Sequence, residues 1–365
     1  MFFDLVIGLG GAVVVVVIAA DVFMSVIVPR PTYSWRPSAR LSRGGWRATG
    51  VIGMRMQSDA RREGLFGTFA PLLLITLLIF WIVALIFGFG LIFFALRGEL
   101  KPEPDTLWMA IYYAGTSLLT LGYGDIVAQH GLARAISLTA AALGLGTFAI
   151  VTAFLFSIFA AFQRREAFIV TMRERTGAPP SGVDFLARHV ELEMLDDLGA
   201  TFGRAEAWIA DIMETHLAYP VLAYFRSTHD YQSWVGTIGA FLDASTLVIT
   251  TVDVGHVGPA KMLGRLGRHL VNDYTQYYGF AQDLTGAPGI ERAEFDQVYE
   301  RLAAKGLRMR EIETAWTEFA ALRGSYALPL NAMASYWRIP PALWIGDRSI
   351  ISIHAPVAPV RRNGA

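Results

Sequence analysis

Residues 65–96 form a run of 32 side chains without one charge. As a helix, such a run is about 48 Å long at 1.5 Å per residue. A bilayer core about 30 Å thick needs about 20 apolar residues, so the run is longer than a straight crossing requires, and a tilt or an extension beyond the bilayer is expected. Two further stretches have the same character: residues 135–163 carry no charge, and residues 5–29 carry only Asp21. Three membrane-crossing helices are therefore predicted.

Charge is distributed to match. The chain has 31 basic and 31 acidic side chains, a formal net charge of zero. Residues 1–163 hold 11 basic and 8 acidic side chains, and the remaining residues hold 20 and 23. A sparsely charged first part is followed by one charged like a water-soluble domain. With no basic excess, nucleic acid is not an expected partner. With no Cys, disulfide scaffolds, Cys-ligated zinc and Cys nucleophiles are excluded.

Orientation follows from the arginines. Met1-Phe2-Phe3-Asp4 lacks the positive start of a secretory signal, so the first span is expected to stay in the mature protein. Residues 30–64 carry eight Arg against Asp59 and Glu63, which places this loop in the cytoplasm by the positive-inside rule. The N-terminus is then outside, the segment between the second and third spans is outside, and the C-terminal 200 or so residues are cytoplasmic, a reducing compartment that suits a Cys-free chain.

The connection at residues 98–131 is not a plain loop. Residues 106–119 are apolar and aromatic and long enough for about three helical turns. Then follow Thr120-Leu121-Gly122-Tyr123-Gly124-Asp125. Irregular backbone at membrane depth is tolerated only where it lines a watery cavity. Glycines at alternate positions permit left-handed backbone, so that successive carbonyls can face one lumen. With the Thr120 hydroxyl they would make a ladder of oxygens able to replace the hydration shell of a cation.

Thr-Leu-Gly-Tyr-Gly-Asp resembles the selectivity-filter signature of potassium channels, Thr-x-Gly-Tyr-Gly-Asp. Over residues 65–163 the outer helix, pore helix and inner helix resemble the two-transmembrane pore module of that superfamily. More narrowly, the chain resembles bacterial potassium-channel proteins, with an extra N-terminal span and an α-helical cytosolic domain. The resemblance implies that Thr120, Leu121, Gly122, Tyr123 and Gly124 coordinate potassium, the only metal expected, and that the Tyr123 side chain braces the filter against the pore helix. It implies that Asp125 hydrogen-bonds a pore-helix aromatic, with Tyr112 or Tyr113 standing where relatives often have Trp, and Thr116 where some carry Glu. It also implies a homotetramer in the bacterial inner membrane. No cofactor is expected.

In the third span, Gly144 stands where relatives have a hinge glycine; close helix packing is the other reading. Steps of four from there keep Phe148, Thr152, Phe156 and Ala160 on one face, expected to line the pore, with Phe148 or Phe156 as a hydrophobic constriction. The phenylalanines facing lipid is the competing arrangement. Arg36, Arg40, Arg43 and Arg47 are spaced 4, 3 and 4 apart, which suits an amphipathic segment on anionic lipid. Pro37, Gly44 and Gly45 interrupt it, and a solvated, topology-setting loop is the favoured reading. Asp21 is expected to snorkel or to bond a neighbouring helix near the inner interface, with the first span packed outside the pore module.

The fold class expected is an all-α membrane protein: three transmembrane helices, a re-entrant pore helix with its filter loop, and an all-α cytoplasmic domain. The divisions are an N-terminal helix at 1–29, a basic linker at 30–64, a pore module at 65–163 (outer helix 65–96, pore helix and filter 106–125, inner helix 132–163), a helical domain at 164–346 and a flexible tail at 347–365. Helices are expected in that domain over 183–198, 203–217, 233–252, 259–278, 290–305 and 308–322. No nucleotide-binding fingerprint or calcium loop is present. His189 with Glu193 reads as a surface pair, His216, His229, His256 and His269 are scattered, and the polar–aromatic cluster from Tyr224 to Trp234 reads as a helix junction or subunit contact, with a ligand pocket as the alternative. The function expected is a potassium-selective channel gated by the inner helices; the alternative is a membrane receptor or scaffold whose helical domain is the active part. No nucleophile–base–oxyanion set marks an enzyme.

Overall fold

A computed structural model describes residues 2–28, 36–280 and 287–346. Among them the chain is helical almost throughout, and three helices are long and apolar enough to cross a membrane. The protein is an all-α membrane protein. It divides into two compact units: residues 1–160 with 217–225, and residues 161–216 with 226–365. The tail at 347–365, like Arg30 and the rest of 29–35, lies outside the described residues.

In the first unit, α1 (Phe2–Val26) packs along α3 (Asp59–Ala95). The crossing is set by glycines. A Cβ on Gly11 would stand 2.5 Å from the Gly88 carbonyl oxygen, and one on Gly88 2.9 Å from Val15 Cγ2. Small residues let helix backbones approach closely in lipid, where no hydrophobic force draws them together. Asp21 is buried, and its carboxylate accepts hydrogen bonds from Ser38 N (3.2 Å), Ser38 Oγ (2.7 Å) and Trp81 Nε1 (2.8 Å). Those three donors satisfy the acid within the protein, so it bonds its neighbours rather than snorkelling. At the other end of α1, the Arg97 guanidinium pairs with Asp4.

The basic linker is not a loop. Residues Pro37–Met54 form α2. Pro37 sits in the first turn, where its missing N–H leaves no bond unmade. Gly45 and Gly53 are contact positions: added Cβ atoms would meet Phe69 at 3.3 Å and Phe66 at 2.7 Å. Trp46 wedges between Phe66 (ring centroids 5.5 Å), Phe69 (5.0 Å) and Tyr224 (5.1 Å). Of the two glycines expected to interrupt the helix, Gly45 is one that lets it dock, while a Cβ on Gly44 would meet nothing within 4 Å. Likewise α3 starts at Asp59, six residues before the apolar run, because Ser58 caps it by accepting from Arg61 N and charged residues can occupy a solvated first turn.

Residues 217–225 also belong to this unit. Tyr219 meets Phe154 edge-on at 5.5 Å, Tyr224 meets Phe69 at 5.5 Å, and Phe225 meets Phe159 at 6.2 Å. Tyr224 thus packs in the first unit while Trp234 opens a helix of the second, so the aromatic run read from the sequence lies at the junction of two units in the chain.

The second unit contains the last part of α5 (Gly131–Thr176) and α6 (Gly182–Glu191), α7 (Leu198–Ala218, to His216), α8 (Trp234–Thr250), α9 (Val257–Tyr278), α10 (Arg292–Ala304), α11 (Ile312–Arg323) and α12 (Ala327–Tyr336). α8 is buried along almost its whole length, as a helix apolar on all faces must be, and α6, α9, α11 and α12 pack around it. The helix expected at 183–198 ends at Glu191. The chain then turns through Glu193 at φ +56° and restarts at Leu198, with Arg175 holding Asp197 (2.7 Å) and Thr201 (3.0 Å) across the turn. α12 has no counterpart among the helices expected from the sequence, the last of which ends at 322.

One polar knot lies in this core. Arg323 and Asp243 are both essentially inaccessible and pair at 2.9 Å. The guanidinium also donates to the carbonyls of Trp344 (2.8 Å) and Pro288, and Tyr326 Oη donates to Asp243 Oδ1 at 2.7 Å. Burial and the neighbouring carboxylate push the Tyr326 phenol well above its ordinary range.

Candidate functional site

The connection between α3 and α5 is built around a short helix, α4 (Leu107–Leu118). Thr106 caps its start by accepting from Met109 N at 3.4 Å. Its sides are clamped at glycines. A Cβ on Gly90 of α3 would meet Ile111 at 2.6 Å, and one on Gly144 of α5 would lie 1.9 Å from the Leu118 carbonyl oxygen. Tyr113 stacks edge-on against Phe93 at 4.8 Å and shares a hydrogen bond with Ser137 Oγ at 2.8 Å. A two-residue ladder, β1 (Leu100–Lys101) with β2 (Val127–Ala128), closes the outer ends of the connection, and Glu99 bonds Ala133 N at 2.9 Å at the start of α5.

Beyond α4 the backbone turns on the Thr116 carbonyl, which accepts from Leu121 N (2.8 Å) and Gly122 N (3.3 Å). The buried Thr116 hydroxyl donates to the Tyr113 carbonyl at 3.0 Å. Thr116 therefore acts on the loop through its backbone oxygen. From there the backbone alternates in hand: φ is +55° at Thr120, +55° at Gly122 and +80° at Gly124, while Leu121 and Tyr123 stay at negative φ. For a β-branched residue such as Thr120 this is a strained conformation, costing about 1–3 kcal/mol, of the kind that clusters at functional sites. Among the described residues no donor reaches the carbonyl oxygens of residues 120–124, and all five residues are exposed in the single chain. Backbone acceptors left unused in a strained, regular alternation are the chemistry this segment offers.

The two candidate tyrosines divide their work. Tyr112 lies within electrostatic reach of the Asp125 side chain, whereas Tyr113 faces α3 and α5. Tyr123 is 67% exposed. The Tyr123 ring makes no ring contact or hydrogen bond with the described residues of the one chain, so the expected brace against the pore helix is not seen there.

On α5, Phe148 (61% exposed), Phe156 (73%) and Ala160 lie open and Thr152 partly so, with the Thr152 hydroxyl bonded to the Phe148 carbonyl at 2.8 Å. Thr147, Val151 and Ile158 on the opposite side are buried. The face named from the sequence is open in the chain, as are Leu145, Ala149, Ile150, Ala153, Ser157 and Phe159 beside it. Gly144 lies within an unbroken helix, and its close approach to Leu118 supplies the contact that the packing reading requires.

The second unit contains a polar cluster that the sequence did not announce. Arg165 (1% exposed) pairs with Glu166 at 2.9 Å and approaches His216 Nε2 at 3.2 Å. Ser227 Oγ donates to Glu166 at 2.6 Å. Because Arg165 can only donate, His216 Nε2 must accept and the imidazole is neutral. Burial, and then the Arg165 charge, push its pKa well below the ordinary value. His189 is buried against Phe185, whose carbonyl lies 2.7 Å from Nδ1, and burial pushes its pKa down too. It makes no pair with Glu193. Among the described residues no group of three His, Asp or Glu is placed to hold a metal ion.

Residues 75–161 match the model of a family described as ion channel. The matched stretch takes in much of α3, all of α4 and the strained loop, and the first two thirds of α5. Over 181 residues the chain is 24% identical to the uncharacterized membrane protein YdjJ of Bacillus subtilis (strain 168), a match covering 48% of this chain. The chain spans about half the length of that relative (52%). No solved structure matches.

Proposed function

We propose that the protein is a subunit of a potassium-selective channel in which four copies surround one conduction path. The observation that carries this reading is the set of five unused carbonyl oxygens at residues 120–124, presented by a backbone that is left-handed at 120, 122 and 124. Four such segments around an axis give rings of oxygens that substitute for the water around a dehydrated potassium ion. The match of residues 75–161 to an ion-channel family supports the coarser part of this reading. A closed cyclic ring gives identical surroundings to each copy. It also gives Tyr123 and Leu121, both more than half exposed in one chain, a neighbouring subunit to pack against. The carboxyl ends of the four α4 helices would aim partial negative charge at the cavity below the filter.

In this arrangement Phe148, Thr152, Phe156 and Ala160 line the inner vestibule, with Phe156 the constriction. The arginines around α2 face the cytoplasm, which puts the N-terminus outside and the helical domain on the cytoplasmic side of the inner membrane.

The test is Gly122→Ala in liposomes loaded with potassium or sodium. An added Cβ meets nothing within 4 Å in the chain, so the cost is conformational, about 1–2 kcal/mol for each L-residue forced left-handed. The wild type is expected to release potassium faster than sodium. The variant is expected to assemble normally and to lose flux or preference. Flux with an unchanged preference would overturn the filter assignment.

A further inference from the structure

We propose that α2 is a lipid-reading helix whose arginine face binds the anionic headgroups of the bilayer leaflet next to it. At 100° per residue, α2 has three faces about a third of a turn apart. Ser38, Trp46, Gly50 and Gly53 are buried against the protein. Arg40, Arg43 and Arg47, continued by Arg36 ahead of the helix, form a second face, and the first three are exposed. Leu41, Ala48 and Ile52 form the third, with Ile52 53% exposed. The helix contains no Asp or Glu. Among the described residues Arg40 and Arg47 have no ion pair, and the nearest acid after the helix, Asp59, is paired with Arg62 at 2.6 Å.

Chain length fixes where these faces lie. Only residues 55–58 separate α2 from α3, a membrane-crossing candidate. That link reaches no more than about 18 Å fully extended. Asp21 of α1 grips the other end through Ser38, and the Trp46 wedge fixes the rotation. The helix is held at the membrane boundary with Arg40 and Arg47 exposed on one face and Ala48 and Ile52 exposed on another. A soluble acidic protein or free phosphate would satisfy Arg40 and Arg47 and leave Ala48 and Ile52 bare. An anionic leaflet covers both, with headgroups on one face and acyl chains on the other. The inference needs α1 and α3 to span the membrane and is independent of ion selectivity.

The test uses delipidated full-length protein titrated with phosphatidylglycerol or phosphatidylcholine, with retained lipid counted by native mass spectrometry. The wild type is expected to prefer phosphatidylglycerol. R40Q/R43Q/R47Q should weaken that preference on the order of a hundredfold, given the usual attraction per basic residue near an anionic surface. R40K/R43K/R47K, which keeps the charge, should retain the preference, and Ile52→Ser should weaken retention of both lipids. Equal retention of the two lipids by the wild type, an unchanged preference in the glutamine variant, or displacement of phosphatidylglycerol by excess inorganic phosphate or polyglutamate would overturn the proposal.

Discussion

Replacing Gly144 by Ala puts a methyl carbon 1.9 Å from the Leu118 carbonyl oxygen and 2.9 Å from Leu118 Cγ. An ordinary carbon–oxygen contact is more than 1 Å longer than the first of these distances. The obstructing atom is backbone at the end of α4, not the tip of a flexible side chain. Relief requires α4 and α5 to part, and the Thr116 carbonyl that anchors Leu121 and Gly122 lies in that same last turn. Overpacking a filled site costs about 1–3 kcal/mol; with backbone as the obstacle, the expected loss is about 3 kcal/mol. Gly146 is the internal control, because its Cβ would meet nothing within 4 Å. Ala there should stabilise the helix by about 1 kcal/mol. The assay is thermal unfolding of both variants in the same detergent, with potassium and sodium flux measured in liposomes. Gly144→Ala should melt lower and lose selectivity, and Gly146→Ala should do neither. A Gly144→Ala protein with wild-type melting and selectivity would refute the packing argument, and altered gating without lost stability would restore the hinge.

Trp46→Ala should cost about 3–5 kcal/mol, as for other buried aromatics, and free α2, seen as faster trypsin cleavage after Arg47. In the knot of the helical unit, Asp243→Asn or Arg323→Met alone leaves a buried charge unpaired and should cost about 3–5 kcal/mol. The double variant should cost much less than the sum, which a double-mutant cycle measures. His216 and His189 have folded pKa values below their unfolded ones, so the unfolded chain binds more protons below about pH 6.5. Their contribution is present above that pH and is lost as pH falls toward the folded values, at up to about 1.4 kcal/mol per unit per group. Melting temperature should fall between pH 7 and pH 5, and His216→Gln should flatten the slope; an unchanged slope would remove His216 as a cause.

The parts of this protein legible in its sequence depend on unbroken length or on one short run. Three apolar stretches are enough to place three crossing helices, because lipid leaves backbone few alternatives. The turn-rich hexapeptide after an apolar helix marks where the backbone changes hand. What escaped depends on contacts between distant residues. Asp21 meets Ser38 and Trp81, and Arg165 meets His216 51 positions away; no local pattern encodes either. α2 was obscured for a related reason. Glycine weakens an isolated helix, yet at Gly45 and Gly53 its missing Cβ admits the rings of Phe69 and Phe66. Gly144 shows the same ambiguity, since a glycine kept for bending and one kept for contact are spelled alike.

The central claim is that the carbonyls of residues 120–124 select potassium. The measurement that bears on it most directly is the reversal potential of purified full-length protein in a planar bilayer, with potassium on one side and an equal concentration of sodium on the other. The account predicts a reversal potential displaced far toward the potassium equilibrium value and abolished by Gly122→Ala. A reversal potential at zero, meaning equal permeability to the two ions, would contradict it.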